Sequence, residues 1–151
     1  MLVRFSVENY RSFKKRQVFS MAAGKHTRHK EQIVSINGKR LLKAGILFGA
    51  NAAGKSNLIK AVNFSRNVAL KQITAGQIAN RNFRIDGSSI NRPGVFQYDF
   101  CQNGHFYSYG FAISYIDIKF VSEYPLPQIP KIKIPRIPTI IIVHLIIIFK
   151  F

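Results

Sequence analysis

The sequence predicts an α/β fold, and three observations predict it. Gly49-Ala50-Asn51-Ala52-Ala53-Gly54-Lys55-Ser56 fills every fixed position of the pattern G-x-x-x-x-G-K-[S/T]. Ahead of it, Ala44-Gly45-Ile46-Leu47-Phe48 is a short apolar run of the kind expected of a strand buried on both faces. Behind it, Leu58, Ile59, Ala61, Val62, Phe64, Val68 and Leu70 recur at the three- and four-residue spacing of a helix with one buried stripe. Strand, glycine loop and helix come in the order such a pattern needs. The competing reading is an ordinary glycine turn before a helix.

The pattern carries a definite chemistry. Glycines at both ends let the backbone curl into conformations barred to residues with a Cβ, so that successive N–H groups point inward at a phosphate. Lys55 would then reach the β- and γ-phosphates as a point charge, and the Ser56 hydroxyl would ligate Mg²⁺. The loop would end at a helix N-terminus, whose unpaired N–H groups and dipole favour an anion. The expected ligand is a nucleoside triphosphate with its Mg²⁺.

A chain of 151 residues has room for one domain with a sizeable core, and 47% hydrophobic with 13% aromatic is a globular balance. Cys101 is the only cysteine, which excludes an intramolecular disulfide or a thiolate metal cluster. The N-terminus lacks a continuous apolar stretch resembling a signal peptide, so a cytoplasmic location is expected. The net charge is +17, ordinarily a pointer to nucleic acid or an anionic membrane surface. It is spread out, however. Residues 1–60 carry thirteen basic and two acidic side chains, densest at Lys14-Lys15-Arg16, with Lys25, Arg28 and Lys30 beyond. Two readings stay open: nucleic-acid contact through the Lys14–Lys30 region, and an unbalanced solvated surface.

Along the chain, Leu2 to Glu8 alternates with period two, as a half-buried strand does. Asn9-Tyr10-Arg11-Ser12-Phe13 makes a polar turn with aromatic anchors, and Gln17 to Met21 returns as a second strand. Residues 24–31 form a charged loop in which His26 and His29 read as solvated rather than metal-bound, since nothing nearby supplies soft ligands. Residues 83–94 are turn-rich. Val95–Phe100 and His105–Ile113 read as two strands around Asn103-Gly104, a hairpin signal because both residues tolerate positive φ. A third strand near Asp117 to Glu123 completes a small antiparallel meander.

Taken together, the opening strand with Asn9-Tyr10-Arg11-Ser12-Phe13, the loop Gly49 to Ser56 with Asn57 after it, and the meander ending Val121-Ser122-Glu123-Tyr124 resemble the N-terminal half of an ABC/SMC-like P-loop ATPase head. The resemblance is to bacterial AAA-family ATP-binding proteins related to RecF and to the OLD-type nucleases, and it covers roughly residues 1–124. It implies an ATP-dependent head that forms a head-to-head homodimer around two nucleotides, with DNA as a candidate partner of the intact protein. Gly49, Ala50, Asn51, Ala52, Ala53, Gly54, Lys55, Ser56 and Asn57 would hold the phosphates, with Ser56 on Mg²⁺ and Arg11 and Ser12 beside the nucleotide. From the residues alone, Arg11 and Ser12 equally fit a surface turn.

The departures matter as much. Such a head needs an apolar strand ending in an Asp for Mg²⁺ with a Glu to activate water, and a signature motif for its partner's phosphate. Neither is read in this chain; Asp99 and Asp117 lie in alternating, Tyr-rich segments. Nucleotide binding without appreciable hydrolysis is therefore expected. From Pro125 to Phe151 the chain changes character, with five of its six prolines, ten isoleucines, four basic residues and no acid. It reads as an irregular, non-family tail of a truncated or frameshifted gene, whose lost half would have carried acids. Ile140 to Phe149 is shorter than the ~18–20 residues that span a bilayer, so no stable membrane insertion is expected. A non-enzymatic basic module that binds nucleic acid is the rival to the ATP-binding reading.

Overall fold

The computed structural model describes residues 1–25 and 29–124. Among them run strands β1 (Leu2–Glu8), β2 (Gln17–Ser20), β3 (Ile33–Ile36) and β4 (Lys39–Leu42). Helices α1 (Lys55–Ala69) and α2 (Ala75–Ile78) follow, then β5 (Gly94–Gln102), β6 (His105–Ile113) and β7 (Phe120–Tyr124). The tail expected from Pro125 onward, and His26 and Arg28, lie outside the described residues.

One antiparallel sheet, ordered β2-β1-β5-β6-β7, organises the molecule. The meander is thus no separate small sheet, as the sequence reading had it. β1 inserts between β2 and β5, and no local signal reports a pairing to a strand so far away. The period-two alternation of β1 then decides the faces. Phe5 opposes Tyr98 and Val7 opposes Phe96, which in turn opposes Phe111. Against this apolar face α1 lays Ala61, Phe64 and Val68, the stripe its spacing predicted. The rings of Tyr10, Phe64, Phe96 and Phe111 meet in sequence at centroid distances of 5.1, 5.6 and 5.4 Å. Such pairs add to the burial of large apolar surfaces.

The opposite face is a polar ladder. Arg4 Nη2 lies 2.5 Å from Asp99 Oδ2, and Asp99 Oδ1 accepts from Ser108 Oγ (2.7 Å) and Gln97 Nε2 (3.0 Å). Arg16 donates to Gln97 Oε1 and to Ser6 Oγ. Ser6, Gln97 and Asp99 are buried, and each has a partner, as buried polar groups require.

Asn103 and Gly104 adopt φ of 49° and 78° in the expected hairpin turn. The same dipeptide at Asn37-Gly38, with φ of 47° and 76°, joins β3 to β4 in a hairpin that the sequence reading missed. The hairpins touch: the Asn37 side-chain amide donates to Gly104 O at 2.8 Å, and Lys39 Nζ sits 4.4 Å from the Phe106 ring centroid.

The run Ala44–Phe48 corrects the sequence reading. It forms none of the named strands, and Ile46 and Phe48 are 54% and 74% exposed. A strand buried on both faces needs a neighbour on each side. Gly45 passes close to β2, where a Cβ would stand 3.4 Å from Met21 Sδ and 3.5 Å from the Phe19 ring. Past Gly45 the Ile46 and Phe48 side chains face outward, with Leu47 half-buried between them.

Candidate functional site

Gly49 to Ser56 leads directly into α1. Two positions explain its glycines and one departs from ordinary preference: Gly49 and Gly54 have φ 157° and 90°, and Ala52 takes φ 63° although it carries a Cβ. Gly54 is the residue preceding the helix, and its left-handed conformation turns the chain onto the helical axis. The first-turn N–H groups of α1 have no carbonyl one turn behind them, which leaves them for an anion. Lys55 Nζ reaches back into the curl and donates to Gly49 O and Ala50 O, each at 2.5 Å. Its ammonium therefore lies inside the loop. Ser56 is exposed on the first turn.

The Asn9–Phe13 turn abuts this loop. Asn57 Nδ2 donates to Ser12 Oγ at 2.9 Å, and a Cβ on Gly54 would stand 3.4 Å from Ser12 Oγ and 3.6 Å from the Phe13 ring. Ser12 and Asn57 thus form one buttress against the loop. Arg11 goes elsewhere. With φ 50°, it turns away from Ser12, and its Nε donates to Tyr10 Oη at 3.3 Å. It joins Lys60, Asn63, Asn67, Gln77 and Arg81 along a groove of about 230 Å³ on the flank of α1.

Asn9 fixes the turn, a role the sequence reading did not assign. It is 1% exposed with φ 49°. Its amide donates to Ser89 O (2.8 Å) and Arg92 O (2.7 Å), and its Oδ1 accepts from Phe83 N at 3.1 Å. Its carbonyl accepts from Tyr115 Oη at 2.7 Å. Tyr115 is buried, and burial pushes its hydroxyl well above the usual tyrosine range. Burial also raises the Tyr10 hydroxyl, while Arg11 and Arg81 pull it back down. At the far end of the turn Lys14 pairs with Asp86 at 2.9 Å. Bonds from Ser88 and Lys14 hold the Asp86 carboxyl down at about 2.

Among the described residues no group of three His, Cys, Asp or Glu could hold a metal. His29 faces Glu31 at 3.3 Å on the surface, Asp99 is committed to Arg4, and Asp117 lies 3.6 Å from Lys119. No helix among these residues is long and apolar enough to cross a membrane.

No curated protein matches the chain. A family match runs from residue 46 to 141, taking in the glycine loop, α1 and the β5–β6–β7 meander, and continuing past Tyr124. The opening strand and the Asn9–Phe13 turn precede it. The matched span is more than half of the chain, and the chain belongs to the family described as AAA domain, putative AbiEii toxin, type IV TA system, a family of nucleotide-binding, ATPase-type domains.

Proposed function

We propose that the chain binds ATP with Mg²⁺ through Gly49–Ser56. The observation that carries this reading is the loop's own geometry: a left-handed Gly54 feeding a helix N-terminus, with the Lys55 ammonium held inside the curl. The donor set fits the ligand, since backbone N–H groups and a lysine suit phosphate oxygens and a serine hydroxyl suits Mg²⁺. In binding, Lys55 exchanges two loop carbonyls for phosphate oxygens. Ser12 and Asn57 brace the loop from the side, and Ser56 is the metal ligand. Within the AAA family, the Asn9–Phe13 turn and the antiparallel sheet support the narrower assignment to an ABC/SMC-like head related to RecF and the OLD-type nucleases.

The test is a fluorescent ATP analogue with Mg²⁺ on wild type and Lys55→Ala. Removing a charge-assisted contact worth about 1.5–3 kcal/mol predicts roughly ten- to hundredfold weaker binding. Equal binding by the two proteins sinks the reading. Turnover by the chain alone is expected to stay far below ~1 s⁻¹, because no second acidic motif is read in the sequence and Asp86, Asp99, Glu31 and Asp117 are engaged in ion pairs. A Lys55-dependent rate of that size defeats the claim.

For residues 125–151 we propose an extension that contributes nothing to nucleotide binding. Deleting them is expected to raise solubility, because Ile140–Phe149 is β-branched, nearly uncharged and free of proline. The family match to residue 141 makes this a sharp test. If the deletion unfolds residues 1–124, the segment is structural.

A further inference from the structure

We propose that the groove on the flank of α1, lined by Arg11, Lys60 and Arg81, binds the phosphodiester backbone of a single-stranded nucleic acid. The site is separate from the glycine loop and does not depend on it. Three cations from three parts of the chain, the Asn9–Phe13 turn, the middle of α1 and the segment after α2, line one groove with the amides Asn63, Asn67 and Gln77. Among the described residues none of the three pairs with a carboxylate; the acids that form ion pairs are Asp99, Asp86, Glu31 and Asp117, and their partners lie elsewhere. Collecting like charges without a counter-charge is unfavourable until an anion arrives.

The two arginines are also held in place. Arg11 Nε donates to Tyr10 Oη, with the guanidinium carbon 5.8 Å from that ring's centroid, and Arg81 Nε donates to Gln77 O at 3.1 Å. The Arg11 N–H donates to Arg81 O at 2.8 Å, which ties the two lips of the groove together.

The same features choose the ligand. A mononucleotide's terminal phosphates are best gripped by converging backbone N–H groups, as at the glycine loop. The middle of a helix offers none, because its N–H groups are spent within the helix. What it offers is a track: Asn63 and Asn67 stand one turn apart on α1, with Lys60 one turn before them, all on one side. Side-chain cations and amides on a track suit successive phosphodiesters. The rings of Tyr10 and Phe64 that floor the groove are only 1% and 7% exposed, so bases do not stack on them and binding is indifferent to sequence. The Lys14–Lys30 run is a poorer site: Lys14 is paired with Asp86, and Arg16 is bonded to Gln97 and Ser6.

The experiment is fluorescence anisotropy of a labelled 20-nucleotide single strand against the full chain over a salt series. Lys60→Gln and Arg81→Gln are each expected to weaken binding on the order of fivefold at low salt and to reduce the log–log salt slope by about 0.7. The control Lys15→Gln carries the same charge change outside the groove and is expected to leave both readouts near wild type. Retained affinity and slope in both groove variants, or an equal loss in Lys15→Gln, overturns the proposal. So does loss of strand binding on adding free mononucleotide at equal phosphate concentration. Binding of the ATP analogue by Lys60→Gln and Arg81→Gln, measured alongside, separates this site from the glycine loop: a failure at one leaves the other standing.

Discussion

Phe96 and Phe48 carry the same side chain in similarly apolar runs, and the fold treats them oppositely. Phe96 is fully buried between Phe64 and Phe111, and Phe48 is 74% exposed beside the glycine loop. Hydrophobicity fixes what a segment would gain by burial; neighbours decide whether the gain is realised. β5 has β1 on one side, β6 on the other and α1 across its face. Ala44–Phe48 passes the edge strand at Gly45, and beyond it Ile46 and Phe48 are exposed. The glycine loop is therefore mounted between a packed layer, reached through α1 and the Ser12–Asn57 buttress, and an entry segment exposed at Ile46 and Phe48. Binding loops are commonly drawn from the less stable part of a structure.

The comparison breaks or holds on stability measurements by urea unfolding. Phe96→Ala is expected to cost about 3–5 kcal/mol, whereas Phe48→Ala changes stability by under ~0.5 kcal/mol. Similar losses from the two would show that the entry segment is packed in solution. Asn9→Ala comes next. It strips partners from the Phe83 N–H and from the carbonyls of Ser89 and Arg92, and the loss is expected to be roughly 3 kcal/mol. A near-neutral result would mean that water replaces those bonds and that the turn is not fixed from below.

The smallest effect sharpens the edge of the packed layer. Asp86 has a folded value of about 2, below its ordinary 3.8, so its contribution is present above pH 4 and fades as pH falls through 2. The stability gap between wild type and Asp86→Asn should accordingly be constant from pH 7 to about 4 and close below that. A gap that persists unchanged at pH 2 points to packing rather than charge.

Legibility in the sequence followed distance along the chain. The loop, the stripe of α1 and the Asn103-Gly104 hairpin rest on residues a few positions apart, and each stands where it was expected. Asn37-Gly38 carried the same signal, between Ile33–Ile36 and Lys39–Leu42, and went unread. What the sequence hid depends on remote partners: β1 between β2 and β5, the Asn9 hub reaching Ser89 and Arg92, and the exposure of Phe48. The resemblance placed Arg11 and Ser12 together beside the nucleotide. A φ of 50° at Arg11 sends one to the groove and leaves the other at the loop.

The placement of β1 also sets an order of events. Arg4 and Asp99 are 95 positions apart, whereas β5 and β6 are joined by a two-residue turn of the kind that closes in about 1–10 μs. The hairpin is the local event, and β1 docks onto it only after closing a long loop, whose entropy cost rises with the logarithm of its length. β1 can pair early with the nearby β2, but its other edge stays open until β5 and β6 are present. Until then α1 lacks the Phe96 and Phe111 surface it packs on, and the glycine loop at its head has no completed sheet behind it.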